Sequence, residues 1–325
     1  MTRARKELVS LDATSYYHCI CRCVRRAFLC DEDHVTGQSF EHRKQWVVDR
    51  LRELAQVFSI EVAAYAVMSN HYHVIVHVDS KRAQAWSEDE VIQRWRRLFK
   101  GPLWVDRAIR GENLDSAERL KVSDIIEAWR HRLADLSWFM RCLNEHIARR
   151  ANEEDGCKGR FWEGRFKSQA LLDEQALITC MAYVDLNPVR AGLAKTPEDS
   201  AYTSIQERIR PVPATDSFLR PFVGGESGSK PEGIPCSWRD YLQLVDWTGR
   251  AVREDKRGAI AADSPPILTR LGIDPNAFVR YMGRPDTGFA TVIGCAHRVR
   301  QAALCLGRKF LKGTSSAQRL YPALQ

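Results

Sequence analysis

From Tyr16 to Val24 apolar and polar residues alternate, which predicts a first strand. The run HRKQWVVDRLRELAQVF, residues 42–58, spaces Trp46, Val47, Leu51, Leu54 and Phe58 as one face of a helix. A hairpin follows in YAVMSNHYHVIVHV, residues 65–78. Tyr65, Val67, Val74, Ile75, Val76 and Val78 are β-formers, and Ser69-Asn70 reads as a tight turn. Trp86–Phe99 and Leu133–Arg150 are amphipathic and basic. Arg165–Leu172 reads as a strand, and Asp173 as the N-cap of a helix reaching about Leu186, which Pro188 stops.

The resulting β-α-β-β-α-β order predicts an α+β protein. Its expected core is a split-βαβ, ferredoxin-like (RRM-like) antiparallel sheet with helices on one face and the other face open for a ligand. Residues 1–205 form this domain. Residues 206–235, rich in Pro, Gly and Ser, read as a linker. Residues 236–325 read as a small basic α-helical domain, with short helices at Trp238–Val245, Ile267–Leu271, Asn276–Met282 and Val292–Leu311. The last of these carries Arg298, Arg300, Arg308, Lys309 and Lys312.

Composition adds a partner class. The 325 residues hold 49 Lys and Arg against 41 Asp and Glu, a net charge of +8, which favours a polyanion. No apolar run approaches the roughly 18 residues of a membrane span, no signal peptide is visible, and the cysteines, read as reduced thiols, lead to the expectation of a cytoplasmic protein. Ten cysteines are sparse and irregular for a disulfide scaffold. Cys19, Cys21 and Cys23 share one strand face without the knuckle spacing of a zinc site, and are read as packed, reduced thiols.

The chemistry-bearing residues fall in two segments. His71 and His73 sit at i and i+2 of a strand, so both imidazoles point one way and make half of a divalent-metal site. Two half-exposed histidines on a hairpin are the plainer reading. In GRFWEGRFKSQALLDEQALITCMAYVDLNPVRAGL, residues 159–193, Tyr183 and Asn187 stack at i and i+4 beside the stripe Leu177, Cys180, Met181, Val184. Taken alone, Tyr183 is a boundary residue and Asn187 a helix-end device. Arg160, Arg165, Lys167 and Arg190 are candidate phosphate contacts or solvated charge. Trp162 and Phe166 are core residues or a stacking platform. Arg94-Trp95-Arg96-Arg97 and the basic last helix are candidate DNA grips, and His18 and His77 are read as structural.

Together, HYH, the FWEGRFKSQALL strand and the YVDLNPVRAGL helix resemble the single-tyrosine HUH transposases, within them the REP-associated tyrosine transposases. The resemblance covers roughly residues 14–195, with residues 80–130 expanded relative to compact members. It implies that His71 and His73 bind a divalent metal, Mg²⁺ or Mn²⁺, that Tyr183 is the nucleophile, and that Asn187 completes the metal site. Related insertion-sequence enzymes carry glutamine at that last position. The implied reaction is cleavage and rejoining of single-stranded, hairpin-forming repeat DNA through a 5′-phosphotyrosine, by a monomer or homodimer associated with the nucleoid. Two other readings stay open: a domesticated hairpin-binding protein without nuclease activity, and an RNA-binding module. The second would carry aromatic pairs on central strands where this chain has histidines.

Overall fold

The structure, a computed structural model, describes residues 8–24, 30, 37–210, 217–224, 233–252, 264–283 and 291–322. Much of the expected linker lies outside the described residues. The chain runs β1 (Tyr16–Arg22), α1 (His42–Val57), β2 (Ile60–Val67) and β3 (His71–Val78), then a helical insertion of α2 (Ser80–Ala85), α3 (Glu88–Arg96), α4 (Leu103–Ile109) and α5 (Ser116–Leu133). Next come α6 (Leu136–Glu154), β4 (Lys167–Leu171), α7 (Glu174–Asp185), α8 (Asn187–Arg190) and α9 (Ser204–Ile209). The C-terminal part supplies α10 (Trp238–Val252), α11 (Pro266–Arg270), α12 (Pro275–Gly283), β5 (Val292–Ile293), α13 (Ala296–Cys305) and α14 (Thr314–Leu320).

The α+β class stands. Strand order is β2-β3-β1-β4-β5, with β1 antiparallel to β3 and β4, and β2 antiparallel to β3. The sheet is mixed rather than purely antiparallel, because β5 pairs parallel to β4. Val292–Ile293 was expected to open a helix and instead forms this strand, so the C-terminal part is not wholly helical. Backbone hydrogen bonds explain why: Ala170 N donates to Thr291 O and Leu172 N to Ile293 O, at 2.9 Å each, so two residues satisfy an otherwise bare edge.

Register decides what each face carries. Tyr17, Cys19 and Cys21 lie opposite Val76, Val74 and Tyr72, and all six are buried on one face. Cys19, Cys21 and Cys23 are buried and form no disulfide, as their alternation predicts. Val47, Val48, Leu51, Leu54 and Val57 of α1 and the apolar side of α6 cover this face. Buried Arg43 ties the two helices by ion pairs to Glu154 and Asp155. The insertion extends the same core. Asp115 and Glu118 form a capping box that starts α5, and Trp129 of α5 stacks on Trp95 of α3 at 5.1 Å.

Helices were expected on one face only, yet the second face is covered as well. Ala64, Ala66, Ile75 and Leu171 pack against α7, whose Leu177, Ile178, Cys180, Met181 and Val184 are all buried. A helix apolar on nearly every side must be enclosed, and α10, α11, α12 and α14 join the same cluster to enclose it. Asp173 caps α7 by accepting from Ala176 N at 2.9 Å, as expected. Pro188 does more than stop the helix: it sits in the first turn of α8. At the other end of α7, fully buried Asp185 accepts from Ser204 Oγ (2.5 Å), Ile205 N (3.0 Å) and Tyr241 Oη (2.5 Å), which pins α7 to α9 and α10.

The described part of the 206–235 segment also reaches the sheet. Arg220 N donates to Val62 O at 2.8 Å. The Arg220 guanidinium pairs with Glu61 and donates to Tyr16 Oη at 3.0 Å. Tyr16 faces His77, which hydrogen-bonds Glu61 at 3.1 Å. One end of the second face is thereby occupied by a polar cluster, and the end bearing His71 is left for the cleft described next.

Candidate active site

At that end, β3 places His71 and His73 on the second face, with ring centroids 5.0 Å apart and planes at 75°. The antiparallel register sets Arg22 beside His71 and Ile20 beside His73. α7 crosses this face and brings the Tyr183 ring to 5.8 Å from the His73 ring. A cleft of about 420 Å³ opens here, lined by Ile20, Arg22, His71, His73, Glu163, Gly164, Arg165, Lys167 and Tyr183. Segments a hundred residues apart in sequence thus meet in one cavity.

The remaining predicted residues divide. Arg165 and Lys167 line the cleft and are exposed. Arg160 is exposed on the preceding loop, with its guanidinium beside Gly164. Arg190 instead lies over the Tyr183 ring, Cζ 4.4 Å from the centroid, and its buried Nη1 has no hydrogen-bond partner. Asn187 is buried outside the cleft lining, and its Nδ2 has no hydrogen-bond partner. Tyr281 of α12 meets the Tyr183 ring edge-on at 6.1 Å.

Trp162 and Phe166 are buried, which makes them core rather than a stacking platform. Trp162 Nε1 is spent on Asn144 O at 2.8 Å. The Arg94–Arg97 run is split: Trp95 is buried and Arg94 holds Glu90 and the carbonyls of Gln56 and Val57, whereas Arg96, paired with Asp106, and Arg97 are exposed. Arg298, on α13, is bound to Leu172 O at 3.0–3.1 Å.

Two residues at the site were not anticipated in a functional role. His18, read as structural, shares the second face, and its Nε2 lies 2.9 Å from His73 Nδ1. Arg22 lines the cleft next to His71. Alternation in β1 was the available signal for both, but only the β1–β3 register turns it into proximity.

All three imidazoles are held neutral. Burial lowers His18 to about 4, and burial with the neighbouring Arg22 charge lowers His71 to about 4. His73 is pushed well below its ordinary value, first by burial and then by His18, His71 and Arg190. Neutral imidazole is the form that ligates metal. His71 Nδ1 is engaged by Asn70 Oδ1 at 2.7 Å, which leaves Nε2 for a ligand. Among the described residues no group of three or more His, Cys, Asp or Glu converges as a closed cage. The donor set therefore fits a divalent ion held by two imidazoles and completed by water or phosphate oxygen.

No protein-family profile and no curated protein sequence matches the chain. One solved structure, described as "Structure of the REP associates tyrosine transposase bound to a REP hairpin", is similar at 14% identity and a TM-score of 0.37, over 64% of this chain and 84% of that one. So loose an overlap carries no argument; the geometry of the cleft does. Among the described residues no helix is long and apolar enough to cross a membrane.

Proposed function

We propose that this chain is a DNA strand transferase of the single-tyrosine HUH type, with Tyr183 as nucleophile. One observation carries the reading: a tyrosine on α7 and a pair of neutral histidines on β3 line one cleft rimmed by Arg22, Arg165 and Lys167. A phosphodiester needs what such a cleft offers, namely cations for its charge and a nucleophile within reach. The antiparallel order of β2, β3, β1 and β4 supports a split-βαβ, ferredoxin-like core beneath it.

In the proposed step Tyr183 Oη attacks phosphorus and the P–O3′ bond breaks. The phenol gives up its proton and the departing 3′ oxygen takes one up, leaving a 5′-phosphotyrosine and a free 3′-hydroxyl. Bond exchange conserves the phosphodiester energy, so the strand can be rejoined. His71 and His73 would hold a divalent ion, Mn²⁺ or Mg²⁺, whose Lewis acidity is what such an ion supplies at a phosphate oxygen. Arg190, on the ring face of Tyr183, holds that ring in place. Arg22, Arg165 and Lys167 orient the strand. The substrate class is single-stranded, hairpin-forming repeat DNA, met in the cytoplasm or nucleoid by a monomer or homodimer.

A second reading, a hairpin-binding protein with an idle site, draws on Asn187, whose side chain is buried and is not among the residues that line the cleft. Incubation with labelled hairpin DNA, with Mn²⁺ or EDTA, separates the two. A denaturant-resistant protein–DNA band that needs the ion and vanishes in Tyr183→Phe supports strand transfer. An adduct that survives Tyr183→Phe sinks it, and tight binding without any adduct in several metals selects the second reading.

A further inference from the structure

His73 is the better buried of the two cleft histidines, and it does not stand alone on its strand face. His18 Nε2 lies 2.9 Å from His73 Nδ1, and the planes of the two rings are nearly parallel, at 15°, which a hydrogen bond between ring nitrogens allows. On the far side of His18, Nδ1 lies 3.0 Å from Gln169 Oε1. Gln169 is on β4, directly opposite His18 in the β1–β4 register, and His18 is diagonal to His73 in the β1–β3 register. Three adjacent strands therefore contribute one residue each to a continuous chain of hydrogen bonds that ends at the cleft.

The direction of that chain follows from counting protons. An amide oxygen has lone pairs and no hydrogen, so His18 Nδ1 must donate to Gln169 Oε1. A neutral imidazole carries a single N–H, which leaves His18 Nε2 as an acceptor. His73 Nδ1 must then donate to it, and the one N–H of His73 is used up. Its Nε2 is left as a bare lone pair on the side chain that lines the cleft. If the glutamine presented its amide nitrogen instead, every bond would reverse and His73 Nε2 would carry a proton, closing it to a ligand. In a buried chain of this kind a mismatch strands a polar group without a partner, so the end residue governs the whole.

We infer that His18 and Gln169 are positioning residues that hold His73 as the Nδ1–H tautomer, with Nε2 presented to the cleft as a ligand lone pair. His71 reaches the same state by a shorter route, its Nδ1 held by Asn70. Outer partners of this sort fix ring orientation and tautomer, and their loss typically weakens metal affinity about 10–100-fold. The consequence for metal binding rests on the strand-transferase reading; the tautomer itself does not.

The test uses the full chain, metal-free, with ¹⁵N-labelled histidine, and reads His73 by long-range proton–nitrogen correlation. The expected result is one tautomer, with Nδ1 protonated and Nε2 unprotonated. Gln169→Met keeps side-chain length but removes the acceptor, so His18 and His73 should become tautomer mixtures, and the Mn²⁺ dissociation constant from calorimetry should rise about tenfold. His73 protonated at Nε2 in the unaltered protein, or a tautomer untouched by Gln169→Met, overturns the inference. The wild-type spectrum alone decides it if the variant does not fold. A correct tautomer in a protein that forms no DNA adduct would leave the inference standing and remove the strand-transferase reading.

Discussion

Asp185 stands two residues from Tyr183 and answers for how firmly α7, the helix that carries this tyrosine, is held. Its carboxyl is fully buried, and it accepts from the Ser204 hydroxyl, the Ile205 amide and the Tyr241 hydroxyl. Burial raises its pKa, and the Ser204 and Tyr241 hydrogen bonds pull against that rise. In Asp185→Ala three buried donors lose their acceptor at once. At about 1–2 kcal/mol each, with part returned because the carboxyl no longer has to be desolvated, the expected loss is about 4 kcal/mol. Asp185→Asn should cost about half as much. Its Oδ1 still serves Ser204 and Ile205, and the Tyr241 hydroxyl can turn to accept from the new amide. Urea unfolding at neutral pH measures both, as a lower midpoint at unchanged slope. A loss below about 1 kcal/mol in Asp185→Ala, or Asn costing more than Ala, would refute the claim that these three donors depend on one acceptor.

Three further outcomes follow from the site and its surroundings. His18 has its pKa lowered from 6.5 to about 4, so its contribution is complete above pH 6.5 and is lost as pH falls toward 4. That loss is worth about 3 kcal/mol, and urea midpoints that stay flat from pH 7.5 to pH 4.5 would contradict it. Arg22→Ala and Lys167→Ala should each weaken single-stranded DNA binding and reduce its salt slope by about 0.7, as read by fluorescence anisotropy across a salt series. Unchanged slopes would remove the cleft from the DNA path. Of ten cysteines, none in a disulfide, only Cys305 is exposed, so a thiol reagent should titrate one fast equivalent in the folded protein and none in Cys305→Ser. Rapid reaction at Cys19, Cys21 or Cys23 would contradict their packing.

Much of this architecture was legible in the chain. Alternation marks β1 and β3, helical spacing marks α1, and Asp173 marks the start of α7, because each signal is local and repeats at the period of its own element. The His71–His73 pair and Tyr183 were legible for the same reason. What escaped depends on pairing. His18 and Arg22 become site residues only through the β1–β3 register, and no residue in either strand states that register. Val292–Ile293 is too short to show a period and becomes a strand because β4 offers it an edge. Covering of the second face was hidden in α7, which is apolar on nearly every side, while the notion of an open ligand face needs it to be amphipathic. Asp115-Ser116-Ala117-Glu118 is a readable capping box between the two amphipathic stretches Trp86–Phe99 and Leu133–Arg150.

The strand that completes the sheet is supplied very late in the chain. About 120 residues separate Leu171 from its neighbour Ile293 across the β4–β5 pair. At about 5–20 residues per second of synthesis, β4 waits on the order of ten seconds beside the ribosome with its outer backbone unpaired. An open strand edge on a nascent chain is a template for pairing with another copy or for capture by a chaperone. The strand in waiting is the one that bears Lys167 and Gln169, so the cleft and the hazard of self-assembly share a single stretch of backbone until the last hundred residues arrive.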